Sequence, residues 1–236
     1  MSDPESSLLA RLPVSGIRAL REAVELVADE RAPTSVHEPQ EAWRVHVLDS
    51  LTGLDVPELV AARRITDVGS GAGFPGIALA AALPDSHVEL VEATSRKCEF
   101  MRFLLEDTRI DNAYVVCARA EEWGAARPPD GGREDADAVT ARAVGRLSTL
   151  AELASPLLRD GGVLVAWKGR RDAEEEAEAV RAGERTGMQP GPVRPIGADV
   201  AGFEHRHLYV FTKSGPTPPG LPRRSGMAKK RPFGSA

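Results

Sequence analysis

The 236-residue sequence is short of several things, and each shortage removes a class of protein. Cysteine is nearly absent: there are two, Cys98 and Cys117. Two cysteines offer neither a disulfide framework nor a thiolate metal cluster, and both read as small buried hydrophobes. No apolar run approaches the roughly 18 residues that a membrane helix needs. The opening stretch MSDPESSLLARLP lacks a basic start followed by an apolar segment, so a cytoplasmic protein without a secretory signal is expected. No internal repeat is visible. No pairing of Ser, His and Asp, or of Cys and His, stands out as a nucleophile with its base. The sequence therefore assigns no catalytic side chain and no metal ligand.

Acidic residues are missing from one region. From His205 to Ala236 there are seven Lys or Arg and no Asp or Glu. With −5 overall, residues 1–204 therefore carry −12. An acidic body with a basic tail is unlike a protein whose whole surface binds nucleic acid. It permits a local contact with RNA or another polyanion. The length suits one well-buried domain with added elements, or at most two small ones.

What is present is an alternating pattern. Two amphipathic segments open the chain. SGIRALREAVELVADERA sets Ile17, Leu20, Val24 and Val27 at helical spacing and is stopped by Pro33. EPQEAWRVHVLDSLTG sets Trp43, Val47 and Leu51 on one face and stops near Gly53. His46, Asp49 and Ser50 in this second segment read as packing or capping residues before they read as contacts to substrate.

Strand-like runs then alternate with helices. The strands are RITDVG, HVELVEA, NAYVVCA, ADAVTAR and VLVAWKG, with PVRPIG and HRHLYVFTK as a closing pair. The helices are residues 75–83, TSRKCEFMRFLLEDT, the short AEEWGAA, LSTLAELASPLLRDGG and AEEEAEAVRAGERTG. RPPDGGRED is a surface loop. This order predicts an α/β fold with a mainly parallel sheet, helices on both faces and one antiparallel strand. Residues 1–61 are expected to pack on the core as helices, and residues 62–213 to form the Rossmann-like domain. Residues 214–236 are expected to form a flexible basic tail, too rich in Pro and Gly for regular structure.

The glycine loop DVGSGAGFPG, Asp67 to Gly76, carries the chemistry. Gly71 to Gly76 fits the dinucleotide fingerprint G-x-G-x-x-G, and Glu92 stands about where that fingerprint wants an acid. An acid there would hold the ribose of any adenosine ligand, so it does not single out nicotinamide. Three features favour S-adenosylmethionine. Asp67, two residues before Gly69, suits a zwitterionic, cationic methionyl group, and would repel a pyrophosphate. The additional Gly69 opens the turn beside it. Glu121 or Glu122, after the third strand, either bonds the adenine amino group or is a solvated first-turn acid. Arg142, ending the fourth strand, either touches the cofactor or guanine O6, or is an ordinary ion-pairing residue. Lys168, after the fifth strand, is a candidate RNA-backbone contact. Arg223, Arg224, Lys229, Lys230 and Arg231 in the tail are candidate phosphate contacts.

Several of these stretches together resemble a known family. HVLDSL, DVGSGAGFPGIALA, LVEATSRKCEFM, ARAEEW, VTARAVGRLSTLAELASPLLRDGG, WKG and PRRSGMAKKRP are similar to the bacterial small-subunit rRNA guanine-N7 methyltransferases of the G type, also called glucose-inhibited division protein B. The resemblance implies a class I S-adenosylmethionine-dependent methyltransferase fold with a seven-stranded sheet. It implies methyl transfer to N7 of one guanine near the decoding region of 16S rRNA; free rRNA and the assembling small subunit both stay open as the substrate, and a monomer is expected. The cofactor positions it implies are Gly69, Phe74, Glu92, Ala120, Glu121 and Arg142; Gly71 is added to them as a glycine of the loop itself. The family often has Leu in place of Phe74 and Asp in place of Glu92. Guanine N7 carries a lone pair and no proton, so the lack of a visible general base fits. The fourth strand also ends without the Asn/Asp-Pro-Pro-aromatic pattern of exocyclic-amine methyltransferases. A small-molecule methyltransferase of the same fold and a nicotinamide oxidoreductase remain the alternatives.

Overall fold

A computed structural model of the protein describes residues 4–196 and 202–234. Its centre is a sheet whose inner strands are buried and mostly apolar, as strands covered on both faces are, with Thr66, Asp67, Glu89 and Thr140 among the buried polar exceptions. These strands are β1 (Arg64–Val68), β2 (His87–Glu92), β3 (Ala113–Cys117), β4 (Ala136–Arg142), β5 (Leu158–Lys168), β6 (Met188–Pro190), β7 (Arg194–Pro195) and β8 (His207–Lys213). The order is β3-β2-β1-β4-β5-β8-β6, with β7 also on β8. β1 to β5 are mutually parallel where they pair, and β8 runs antiparallel to β5. β6 pairs with residues 211–213 of β8 and β7 with residues 207–208, so the two share one edge. Eight strands thus fill seven positions, in the class I methyltransferase arrangement. The closing pair expected at PVRPIG and HRHLYVFTK is β7 with β8; Gly197 of that stretch lies outside the described residues.

Helices α6 (Gly76–Ala82), α7 (Ser95–Thr108), α8 (Ala120–Trp123), α9 (Leu147–Ala154) and α10 (Ala173–Thr186) follow β1 to β5 in turn. Ahead of the sheet come α1 (Pro4–Leu9), α2 (Val14–Ala28), α3 (Pro39–Ala42), α4 (Asp49–Leu51) and α5 (Pro57–Val60). A π-helical stretch, Trp43–Leu48, joins α3 to α4 in one continuous run. Ala42, Val47 and Leu51 in this run are fully buried, as are Leu20, Ala23 and Val27 of α2. Each large apolar side chain so placed contributes about 1.5–3 kcal/mol. α2 meets α6 closely at Gly16, where a Cβ would stand 2.2 Å from the Ala81 carbonyl oxygen. Any other residue there would push the helices apart.

Two expectations fail locally. The helix foreseen over LSTLAELASPLLRDGG stops at Ala154, and β5 begins at Leu158. Pro156 supplies no backbone N–H to continue the helix. β5 then starts opposite Ala136 and shifts register before Val163 meets Ala138. Cys98 is buried as expected, but Cys117 is exposed, at the end of edge strand β3.

The tail departs furthest from expectation. Instead of staying irregular it forms α11 (Met227–Lys230) and packs on α9, with Leu221 and Ala228 buried. Its proline and glycine content rules out long helices, not docking through backbone polar groups. Residues 235–236 lie outside the described residues.

Candidate active site

The glycine loop leaves β1 and turns at once. Gly69, Gly71 and Gly73 have φ of +68°, +62° and +104°, in the region that side chains disfavour. The Gly69 amide donates to the Val91 carbonyl at 2.8 Å, which ties the loop to β2. A Cβ at Gly69 would strike Val144 at 2.7 Å. At Gly71 the only atom near a Cβ is the Gly69 carbonyl oxygen at 3.8 Å, so a side chain there would stand in open cleft. Gly71 thus leaves a cradle that a substituent would fill.

The cleft above this loop has a volume of about 360 Å³. One wall is Gly69 to Ala72 and Phe74. The other is Arg142 and Ala143 from the end of β4, with Val45, His46 and Asp49 from the N-terminal helical run. Thr34 to Val36, Lys97 and Arg206 close the rim. The site therefore lies at the carboxyl ends of the central parallel strands, where open α/β sheets bind ligands.

Asp67 is not part of that lining. Its carboxylate is fully buried beneath the loop, where Oδ1 accepts from the Thr140 hydroxyl at 2.8 Å and Oδ2 from the Gly76 amide at 3.2 Å. Thr140 is its partner across the β1–β4 ladder. Burial pushes the Asp67 acid up to about 6, against the pull of these hydrogen bonds. Asp67, expected beside a methionyl group, braces the cradle from beneath, because it points along the sheet toward β4.

Glu92 ends β2 beside the loop. Its Oε2 accepts from the Gly71 amide at 3.2 Å and its Oε1 from the Thr94 amide at 2.8 Å. Each carboxylate oxygen has a second lone pair, so the group retains capacity for a ribose while fixing Gly71. Ala120 is buried at the start of α8. Glu121, expected at the adenine, accepts at Oε1 from the Gly226 amide at 2.7 Å. Among the described residues its Oε2 has no partner.

Arg142 lines the cleft and is also an ion-pairing residue, so the two readings of it merge. Its Nη1 donates to the Val45 carbonyl at 2.6 Å and to Asp49 Oδ2 at 2.9 Å. Asp49 is fully buried, and Arg206 approaches its Oδ1 at 3.5 Å. Arg142 Nη2 lies 3.3 Å from His46 Nδ1. A guanidinium can only donate, so Nδ1 is the acceptor and the imidazole proton sits on Nε2, 3.3 Å from the Thr34 hydroxyl. Burial, aided by the Arg142 charge, pushes His46 down to about 4, so it is neutral at physiological pH. Its ring stacks on Phe74 with centroids 5.2 Å apart.

Sequence reasoning ranked packing or capping above substrate contact for His46 and Asp49, and so left them out of the site. They lie three apart on one helical face, but so do the core positions around them, and their partner Arg142 is more than 90 residues away. Lys168 is held inside the fold: its ammonium donates to the Gly145 carbonyl at 3.1 Å and to Glu175 Oε1 at 2.7 Å, clamping the loop after β4. Of the tail cations, Arg223 is engaged by Glu152. Arg224, Lys229, Lys230 and Arg231 are exposed. No helix among the described residues is long and apolar enough to cross a membrane.

The comparisons with known proteins agree with this geometry. The family model described as rRNA small subunit methyltransferase G matches residues 15–197. A ribosomal RNA small subunit methyltransferase G from Desulfitobacterium hafniense is 38% identical over 202 residues, covering 85% of this chain and 81% of its own. One from Rubrobacter xylanophilus is 36% identical over 237 residues, covering 94% and 88%. Among solved structures, a predicted O-methyltransferase from Agrobacterium tumefaciens is 27% identical with a TM-score of 0.53, covering 71% of this chain and 81% of that one. A SAM-dependent methyltransferase from Aquifex aeolicus, 15% identical, has a TM-score of 0.53 over 75% and 98%, and bears on the fold alone. These matches do not favour the nicotinamide or small-molecule alternatives. With the glycine cradle and the sheet order, they settle descent: the chain belongs to the rRNA small subunit methyltransferase G family.

Proposed function

We propose that this protein transfers a methyl group from S-adenosylmethionine to N7 of one guanine in 16S rRNA, acting as a cytoplasmic monomer on free rRNA or on the assembling small subunit. The observation that carries the reading is the family match over residues 15–197, whose centre is the open cradle at Gly71. The chain divides accordingly into N-terminal helices that wall the cleft (1–61), the methyltransferase domain (62–213) and an RNA-contacting tail (214–236).

The residues fit the cofactor. Gly69 and Gly71 let the backbone approach it, Phe74 packs the loop behind, and Glu92 and Glu121 offer oxygens for its ribose and adenine. Ala120 lies beside Glu121 at the same end. Arg142 and Lys97 face the cleft with positive charge. Bound there, S-adenosylmethionine supplies a methyl group already activated by its sulfonium. Guanine N7 has no proton to lose, so the chain needs no general base. His46 is consistent with that: Nδ1 is occupied by Arg142 and the ring stays neutral. A neutral ring also avoids repelling the purine, which becomes cationic as N7 is alkylated. The remaining work is orientation and exclusion of water, which in well-ordered systems supplies roughly 7–11 kcal/mol. Arg224, Lys229, Lys230 and Arg231 would grip phosphates.

The test is transfer of labelled methyl from S-adenosylmethionine to 16S rRNA and to small subunits taken from cells lacking this gene. One N7-methylguanosine located by mass spectrometry is the expected product. No label above background on either substrate would refute the proposal.

A further inference from the structure

We propose that the C-terminal segment Arg223–Lys230 is a latch that sets the position of α8 at the adenine end of the cofactor site, with the Arg223–Glu152 ion pair as its lock. The proposal rests on the reading of Glu121 as a cofactor contact. Gly69, Glu92 and Ala120 follow or end β1, β2 and β3, which are neighbours in the sheet, so all three stand on one rim.

α8 is four residues long and cannot hold itself by its own hydrogen bonds. It is held from both ends instead. At its foot the Trp123 indole donates to Glu89 Oε2 of β2 at 2.9 Å. At its head the tail grips it twice. The Gly226 amide donates to Glu121 Oε1 at 2.7 Å, and the Ser225 hydroxyl to Glu122 Oε1 at 3.0 Å.

The tail is itself anchored. Nε and Nη2 of Arg223 donate to the two oxygens of Glu152, each at 2.5 Å, and Nη2 also to the Arg231 carbonyl at 2.7 Å. Glu152 is 2% exposed. A carboxylate so buried needs its cation, which commits Arg223 to the docked position. The Thr149 hydroxyl, donating to the Ala228 carbonyl at 3.1 Å, fixes the turn of α11. Phe233 lies under Arg223, with the guanidinium carbon 4.0 Å from the ring centroid. Arg224, Lys229 and Lys230 point outward and have no side-chain partner among the described residues. One short segment therefore carries two separable sets of residues, a lock facing in and cations facing out.

The experiment measures three quantities on the full chain: the Kd of S-adenosylhomocysteine by calorimetry, the Kd of 16S rRNA, and hydrogen exchange of residues 120–124 by mass spectrometry. Arg223→Gln is expected to raise the S-adenosylhomocysteine Kd about 3- to 10-fold, up to about 1.4 kcal/mol, and to speed exchange in α8. Glu152→Gln should do the same, and the exchanged pair Arg223→Glu with Glu152→Arg should restore both. Lys229→Gln with Lys230→Gln should weaken RNA binding and leave the S-adenosylhomocysteine Kd within about twofold. The latch is overturned if Arg223→Gln leaves both cofactor affinity and α8 exchange unchanged. It is also overturned if the lysine pair moves cofactor affinity as much as Arg223→Gln does. Failure of the wild-type chain to bind S-adenosylhomocysteine would instead overturn the proposed function, and α8 exchange still reads the latch in that case.

Discussion

The two ends of the chain are fastened to the same sheet by different physics. The N-terminal run is seated by fully buried apolar side chains, Ala42, Val47 and Leu51, and its ion pair joins the fully buried Asp49 to Arg142, 11% exposed, at the cleft wall. Among the described residues the C-terminal tail has two buried apolar anchors, Leu221 and Ala228, and otherwise holds by hydrogen bonds and the Arg223–Glu152 pair, whose cation is 21% exposed. Apolar burial is non-directional and resists piecemeal loss. Polar docking is specific and can be undone one bond at a time. The first end is a wall of the cleft held mainly by apolar burial, and the second is a fastening held mainly by polar contacts.

The largest expected effect tests the wall. Asp49→Ala leaves the Arg142 charge, only 11% exposed, without its carboxylate. It should lower stability by about 3–5 kcal/mol in urea unfolding. Glu152→Ala at the tail should cost less, about 1–2 kcal/mol, because the guanidinium it leaves behind, Arg223, is 21% exposed and water can replace its partner. Equal losses for the two would erase the distinction between wall and fastening.

Asp67 provides a reference from the core that neither end touches. Its acid is raised from 3.8 to about 6, so folding favours the protonated form. That contribution to stability is complete below about pH 4 and is lost as pH rises through 6, a change of roughly 3 kcal/mol. Asp67→Asn should flatten this part of the stability profile between pH 4 and 7. A profile that keeps its slope in the variant would show that another group is responsible.

The smallest effect is read in salt. Each tail lysine on a phosphate adds about 0.7–0.9 to the slope of log affinity against log salt concentration. Lys229→Gln with Lys230→Gln should lower that slope by about 1.5, with no change in melting temperature. An unchanged slope would place the RNA contact elsewhere on the molecule.

How much of this was legible in the sequence differs between the same two ends and the core. The succession of strands and helices along the chain and the glycine loop could be read because their signals are local: apolar runs, helical spacing and a cluster of glycines. Asp67 was visible as an acid beside the loop, but its direction depends on Thr140, which pairing of β1 with β4 brings alongside. His46 and Asp49 carried the spacing of core residues, and what makes them site residues is Arg142, reached only through the fold. The tail misled because composition reports what a segment cannot do by itself. Gly226 offers a backbone amide to Glu121, 105 residues earlier, and no side-chain pattern announces that bond.

The interrupted outer strand has a consequence for how the molecule behaves at high concentration. On that side the sheet ends in β6 and β7, five residues in all, two of them prolines, Pro190 and Pro195. Proline cannot donate to an added strand, so a second molecule finds no continuous ladder to extend. The opposite margin, β3, is an uninterrupted five-residue strand with Tyr114 exposed. Strand-to-strand aggregation has one open door, and charged residues placed along β3 are the economical way to shut it.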